Sequence, residues 1–365
     1  MATVQAQPLT RAEQFRDYRR AAGVWMAGPG LWVIIGAFLV WAMIAERDGV
    51  VTGVVIGAVF ALGAVGITLI FAILKFGHFA HGDTMMLSAY LGFMFLTGTI
   101  AGEQQSDLVT ILPVSTSDLP GATTDIWNFS FGYGLLAAMG LSAIATALFL
   151  VILNHLVYAP LLRRGSSVVT LSIASLGLAL MIRSAMLMLW GSDPRFYSPG
   201  IRQAVDLPFG VRVLYDQLFI LAIAFVMAAF LYFFLYRTRL GKAMRATSDN
   251  ADLARVSGID TERIVRWMWI VAGVLVAVAG VMLGLQAQLK PELGFIILLP
   301  LFAAAVLGGV GSPHGALVGG LLIGIIQEVA VTSGIIEPGY KFSVALIVLI
   351  LVLLVRPRGL FGERA

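Results

Sequence analysis

Two charged side chains stand alone in long apolar stretches of this sequence, Arg183 and Glu328. A charge placed in hydrocarbon costs at least about 2.5–3.5 kcal/mol on insertion scales, so each is a candidate for function. The two fall at similar heights of their stretches and can meet as a buried ion pair that fixes helix packing. Arg183 alone can instead face the carboxylate of an amino acid. A second group is Lys75-Phe76-Gly77-His78-Phe79-Ala80-His81-Gly82-Asp83, too apolar for an ordinary loop. Gly77 and Gly82 are expected to break a helix there, and Asp83 to cap a new one starting at Thr84. A broken helix exposes N–H and C=O groups that can hold a zwitterion or an amide near the membrane midplane. The run Gly308 to Gly315, with Gly309, Gly311 and Ser312, looks like a second break, and both have His-Gly ahead of an Ala/Gly/Leu-rich helix. Tight turns that only permit packing are the other reading of both. His78 and His81 with one carboxylate make an incomplete zinc set, so no metal site is expected.

Other chemistry lacks its residues. There is no HExxH pair and no serine–histidine–carboxylate order, so no catalytic residue is expected. No GxxxxGK[ST] loop cradles a nucleotide, since Leu240-Gly241-Lys242-Ala243 has neither the upstream glycine nor the hydroxyl residue. Any ATP-driven work must therefore be powered from another chain; a stand-alone channel or ion-coupled carrier is the alternative from a different class.

The elements that position these residues follow from composition. Of 365 residues 59% are hydrophobic and only 12% charged, half the roughly 25% typical of a soluble domain. The chain is expected to be an all-α polytopic membrane protein in a lipid bilayer, with no affinity for nucleic acid. It has no cysteine, which excludes disulfides and thiolate chemistry. A hydrocarbon core about 30 Å thick needs helices of about 20 residues. About ten near-uncharged stretches qualify: 24–45, 50–74, 84–101, 132–154, 168–190, 213–236, 264–289, 294–311, 315–332 and 340–355, some of them broken or re-entrant, the pair around Ser312 above all. Arg11, Arg16, Arg19, Arg20, Arg163, Arg164, the run from Arg237 to Arg266, Arg356 and Arg358 fall on one side, which the positive-inside rule makes cytoplasmic. Both termini are then cytoplasmic: a segment 1–23, a single transmembrane domain 24–356, and a tail 357–365. The outer surface comprises the acidic loop 102–131, with Glu103, Asp107, Asp118 and Asp125, and segment 191–212.

One polar segment, Tyr236 to Trp267, carries seven basic and four acidic residues and reads as two short helices joined by a turn. Ser248 or Asp249 is expected to cap the second, over about 250–257, and Gly258 to end it. Arg245 and Arg255 can make charged contacts at the rim of a partner's cleft. A solvated loop that only enforces topology is the plainer reading.

Leu240 to Arg263, with the Gly/Ala-rich stretch after it, resembles the coupling segment of permease subunits of branched-chain amino acid ABC importers. Gly66 to Tyr90 and Phe302 to Glu328 are similar to two further stretches of that family, in the same order. The resemblance runs from about Gly53 to Arg358 and leaves out the first 20 or so residues and the 102–131 loop. His78 stands where the family usually has Asn, Asp83 where it has Glu, and Pro313 precedes the family's usual proline position at His314; these departures bear on substrate more than on family. The resemblance implies an inner-membrane, multi-pass, non-enzymatic subunit that works by alternating access and has no cofactor of its own. ATP and Mg²⁺ would sit on two cytoplasmic ABC ATPases gripping 237–263 through Gly241, Arg245, Ala246, Asn250, Ala254, Gly258 and Ile259. It also implies a second, like or identical permease, and an external solute-binding protein. Gly77, His78, His81, Gly82, Asp83, Gly309, Gly311 and Ser312 would line the path of a branched-chain amino acid, or of urea or a short amide.

Overall fold

Apolar runs this long leave the backbone only one way to satisfy its polar groups in lipid, which is to form helix. The computed structural model describes residues 29–101, 108–197, 202–207 and 210–362. All of the expected N-terminal segment, with Arg11, Arg16, Arg19 and Arg20, lies outside these residues, as do Glu103, Asp107 and the last three residues of the tail. The helices are α1 (Pro29–Ala45), α2 (Arg47–Leu74), α3 (His81–Thr97), α4 (Tyr133–Arg163), α5 (Val168–Trp190) and α6 (Tyr215–Arg237), then two short ones, α7 (Arg239–Asp249) and α8 (Ala251–Val256). There follow α9 (Thr261–Gln286), α10 (Leu293–Gly308), α11 (Pro313–Thr332) and α12 (Lys341–Val355).

An apolar helix thus occupies each of the ten expected stretches, but not all are full spans. Among the described residues, seven helical segments are long and apolar enough to cross a membrane by length and composition, the last counted from Pro338 with the single 3-10 turn that leads into α12. α1, α3 and α10 have 17, 17 and 16 residues, only about 25 Å of helix. The fold is not purely helical either: β1 (Thr99–Ala101) pairs antiparallel with β2 (Leu108–Thr110), and β3 (Ala204–Leu207) with β4 (Val211–Leu214).

α2 and α9 are the two most buried helices, and α5, α6 and α12 turn most of their surface outward. Small residues set the central packing. Along α2, Gly49, Gly53, Gly57 and Ala61 meet Thr332, Ile325, Gly324 and Gly320 of α11 in reverse order, an antiparallel pair in backbone contact. A Cβ on Gly324 would lie 2.3 Å from the Cα of Gly57. Without a hydrophobic force between helices in lipid, this close approach is what holds them. Gly280 of α9 does the same against Met85 of α3, where a Cβ would lie 2.2 Å from the carbonyl oxygen.

Candidate functional site

The first break lies between α2 and α3. α2 ends on Lys75, which adopts a left-handed conformation (φ 58°) and donates its N–H to the Phe71 carbonyl at 2.9 Å. α3 starts at His81, whose Nε2 lies 2.9 Å from the Gly63 carbonyl, 11 residues before the end of α2. That offset is about 16 Å of helix, so α3 begins part-way through the membrane domain. The expected break at Gly77 and Gly82 is thereby corrected. The turn is made at Lys75, Gly77 is under no steric demand for glycine, and Gly82 lies inside α3. Gly82 instead lets α10 approach: a Cβ there would be 2.1 Å from the Gly294 carbonyl oxygen. The starts of α3 and α10 therefore meet at one level, and two helix N-termini bring positive dipole ends together.

Asp83 does not cap a helix at Thr84; it is the third residue of α3. Its side chain is fully buried and takes a two-pronged contact from Arg183, with Nε at 3.0 Å from one carboxylate oxygen and Nη2 at 3.1 Å from the other. The guanidinium also lies 5.0 Å from the ring centroid of Phe295 on α10. The expected Arg183–Glu328 pair does not form. Glu328 bonds to Lys341 at the start of α12, so each of the two charges has its own counter-ion. Arg183 keeps 20% of its side-chain surface exposed. Phe302, seven residues after Phe295 and so on the same face of α10, lies 5.4 Å from Phe79 of the break, and both are partly exposed.

His78 is buried completely among the rings of Phe76, His81, Tyr158 and Trp269, at centroid distances of 5.2–6.3 Å. Neither of its nitrogens has a hydrogen-bond partner. The N–H of Ala80, freed by the break, is taken by Ser175 Oγ of α5 at 3.1 Å. At the second break, Gly309 and Gly311 have φ of 109° and 92°, and Ser312 caps α11 by accepting the Gly315 N–H at 3.2 Å. The chain end folds back onto this turn, where the N–H groups of Leu360 and Phe361 donate to the Leu307 and Gly308 carbonyls.

On the arginine-rich face, α7 packs on α2, α6 and α9 through Gly241, Met244 and Thr247. Gly241 is required there, since a Cβ would come 2.2 Å from the Phe234 carbonyl oxygen. Thr238 caps α7, and Asn250, not Ser248 or Asp249, caps α8 by accepting the Leu253 N–H at 2.9 Å. The chain runs straight through Ser248 and Asp249 as the end of α7, which moves the cap one residue on. Gly258 ends α8 as expected, with φ 85°; its N–H reaches the Arg255 carbonyl and that of Ile259 the Ala254 carbonyl, a Schellman pair. Ala254 is buried and Ala246 half-buried. Arg245 turns inward, over the Tyr236 ring at 4.4 Å, so only Arg255 stands at the rim. Sequence reasoning passed over Leu253 and Val256, which are 63% and 86% exposed at the tip of α8. Two apolar residues three apart inside the most polar stretch were the available signal.

On the opposite face, Asp216 joins the two outer segments: it accepts the Ser130 N–H at 2.9 Å and lies 3.7 Å from Arg202 Nε. Asp118, on the surface, is held below the usual carboxylate range by the Ser115 N–H and hydroxyl.

Residues 49–353 match the family described as branched-chain amino acid transport system, permease component. The chain is similar to the high-affinity branched-chain amino acid transport system permease protein BraD of Pseudomonas aeruginosa, at 30% identity over 86% of this chain and 94% of that one. It is 29% identical to the corresponding LivH protein of Escherichia coli K12, covering 85% and 94%. A probable branched-chain amino acid permease of Methanocaldococcus jannaschii is 31% identical over 74% and 92%.

Proposed function

Because the chain belongs to the family of permease components of branched-chain amino acid transport systems, we propose that it is a subunit of a bacterial ABC importer carrying leucine, isoleucine or valine across the cytoplasmic membrane. Two separate ATPases supply the energy from the cytoplasmic side, a second permease completes the pathway, and an external solute-binding protein delivers substrate to the surface joined by Asp216. The transport cycle is alternating access, with no covalent chemistry in this chain.

The tip of α8 is the observation that supports the coupling role. Leu253 and Val256 are apolar surface on the most polar segment of the chain, and a cleft on a partner protein covers such surface where lipid does not. Behind the tip, α7 is seated on α2, α6 and α9, so a push on α8 reaches the membrane helices directly. The part-way starts of α3 and α10 are the element we assign to the substrate path; helix N-termini suit a carboxylate, and the Asp83–Arg183 pair fixes α3 to α5 beside them.

The test is affinity purification from native membranes, with a known ABC complex as control. The reading expects a P-loop ATPase to co-purify, and reconstituted vesicles containing both to take up leucine only with ATP. Recovery of the chain alone while the control stays intact, with uptake that follows an ion gradient, would overturn it. Competition by urea and short amides, rather than by valine, would reassign the substrate.

A further inference from the structure

Between the end of α2, the inner side of α7 and the second break lies a cavity of about 480 Å³, lined by Lys75, Arg245, Ser248, Asp249, Ser312 and His314 among others. That volume is within the range of small-molecule sites. Lys75 and Arg245 bring two positive charges to its wall, and among the described residues neither is within ion-pair distance of a carboxylate. Lys75 Nζ donates to the Ser248 carbonyl at 3.0 Å. Arg245 lines the cavity with its guanidinium carbon 4.4 Å from the centroid of the Tyr236 ring. On the far wall, the Tyr236 hydroxyl lies 3.4 Å from His314 Nδ1. With Nδ1 as acceptor, Nε2–H is left as a donor. The same wall is completed by the turn through Gly311, Ser312 and Pro313, where Gly311 has positive φ and Ser312 already holds the Gly315 N–H. Among the described residues Asp249 is the single carboxylate on the lining, and it is exposed.

We propose that this cavity binds a phosphate group, carried either by a lipid headgroup or by a small soluble phosphate compound. Donors come from three separate walls, which matches the several oxygens of a phosphate better than the two of a carboxylate, and the guanidinium can engage two of them side by side. The occupant bridges α7 to the ends of α2 and α11, and so stiffens the seat of α7. This site is separate from the transport reading, and its test uses no uptake measurement.

The full chain, purified in a sugar detergent that carries no phosphate, is titrated with phosphatidylglycerol and, separately, with inorganic phosphate and pyrophosphate. Native mass spectrometry counts bound lipid and thermal unfolding reads stabilisation. The proposal expects saturable stabilisation with one equivalent bound, and at least a tenfold weaker midpoint in Arg245→Gln and in Lys75→Gln, with Arg164→Gln on the surface unchanged. Saturation by the lipid alone identifies a headgroup; saturation by inorganic phosphate or pyrophosphate identifies a soluble compound. No saturable effect from any of the three, or equal effects in all variants, would overturn the proposal. If either cavity variant fails to fold, His314→Gln, which keeps both positive charges, is expected to weaken binding in its place.

Discussion

Asp83 has no exposed side-chain surface, and both of its oxygens are taken by one guanidinium. Losing Arg183 strands a buried carboxylate, at a cost of roughly 3–5 kcal/mol, whereas neutralising both partners strands nothing. Arg183→Gln is therefore expected to unfold at a markedly lower temperature than the double variant Asp83→Asn/Arg183→Gln; a double variant no more stable than the worse single would count against the pair. Gly258 holds a left-handed conformation that costs other residues about 1–2 kcal/mol. Gly258→Val and Val256→Asp should each lower ATP-driven uptake several-fold while leaving the amount of inserted protein unchanged, since α8 makes few contacts with the membrane helices; normal uptake in both would sink the coupling role of α8. At this scale the sequence was readable for local geometry and not for partners. Gly258 could be placed because a helix end has a short-range signature. Arg183 could not be matched, because its counter-ion lies 100 residues away, and Glu328 found a lysine 13 residues on that had looked like the start of a span.

The elements were legible because lipid permits so few alternatives. Every apolar stretch became helix, and the stretches read as 84–101 and 294–311 came out as α3 and α10 with their ends shifted by a few residues; that the two helices start beside each other part-way through the membrane shows only in the packing of Gly82 against Gly294. The α2–α11 contact makes the sharpest prediction for an element. Gly324→Ala places a methyl against the backbone of Gly57, and overpacking of this kind costs about 1–3 kcal/mol or more. Gly177→Ala, on α5 with nothing within 4 Å, serves as the control. A lowered unfolding temperature is expected for the first and none for the second; indifference at both would mean the helices are not in backbone contact.

For the whole molecule, orientation rests on where the arginines fall, and the absence of cysteine makes it straightforward to check. Single cysteines at Ser257 and Thr124, both exposed, should react with a membrane-impermeant maleimide from opposite sides of the membrane, Ser257 from the cytoplasmic side. Labelling of both from one side would refute the topology. The α2–α11 contact has a mechanical consequence. Two backbones touching directly have no side chains between them to change rotamer, so the pair behaves as one stiff strut. Because α2 and α11 run antiparallel, both helix breaks, at 75–80 and at 309–312, lie at the same end of that strut, and that is the end where α7 sits. A displacement arriving through α7 thus meets the rigid member where its two joints are, like a load applied at a hinge and not at mid-beam.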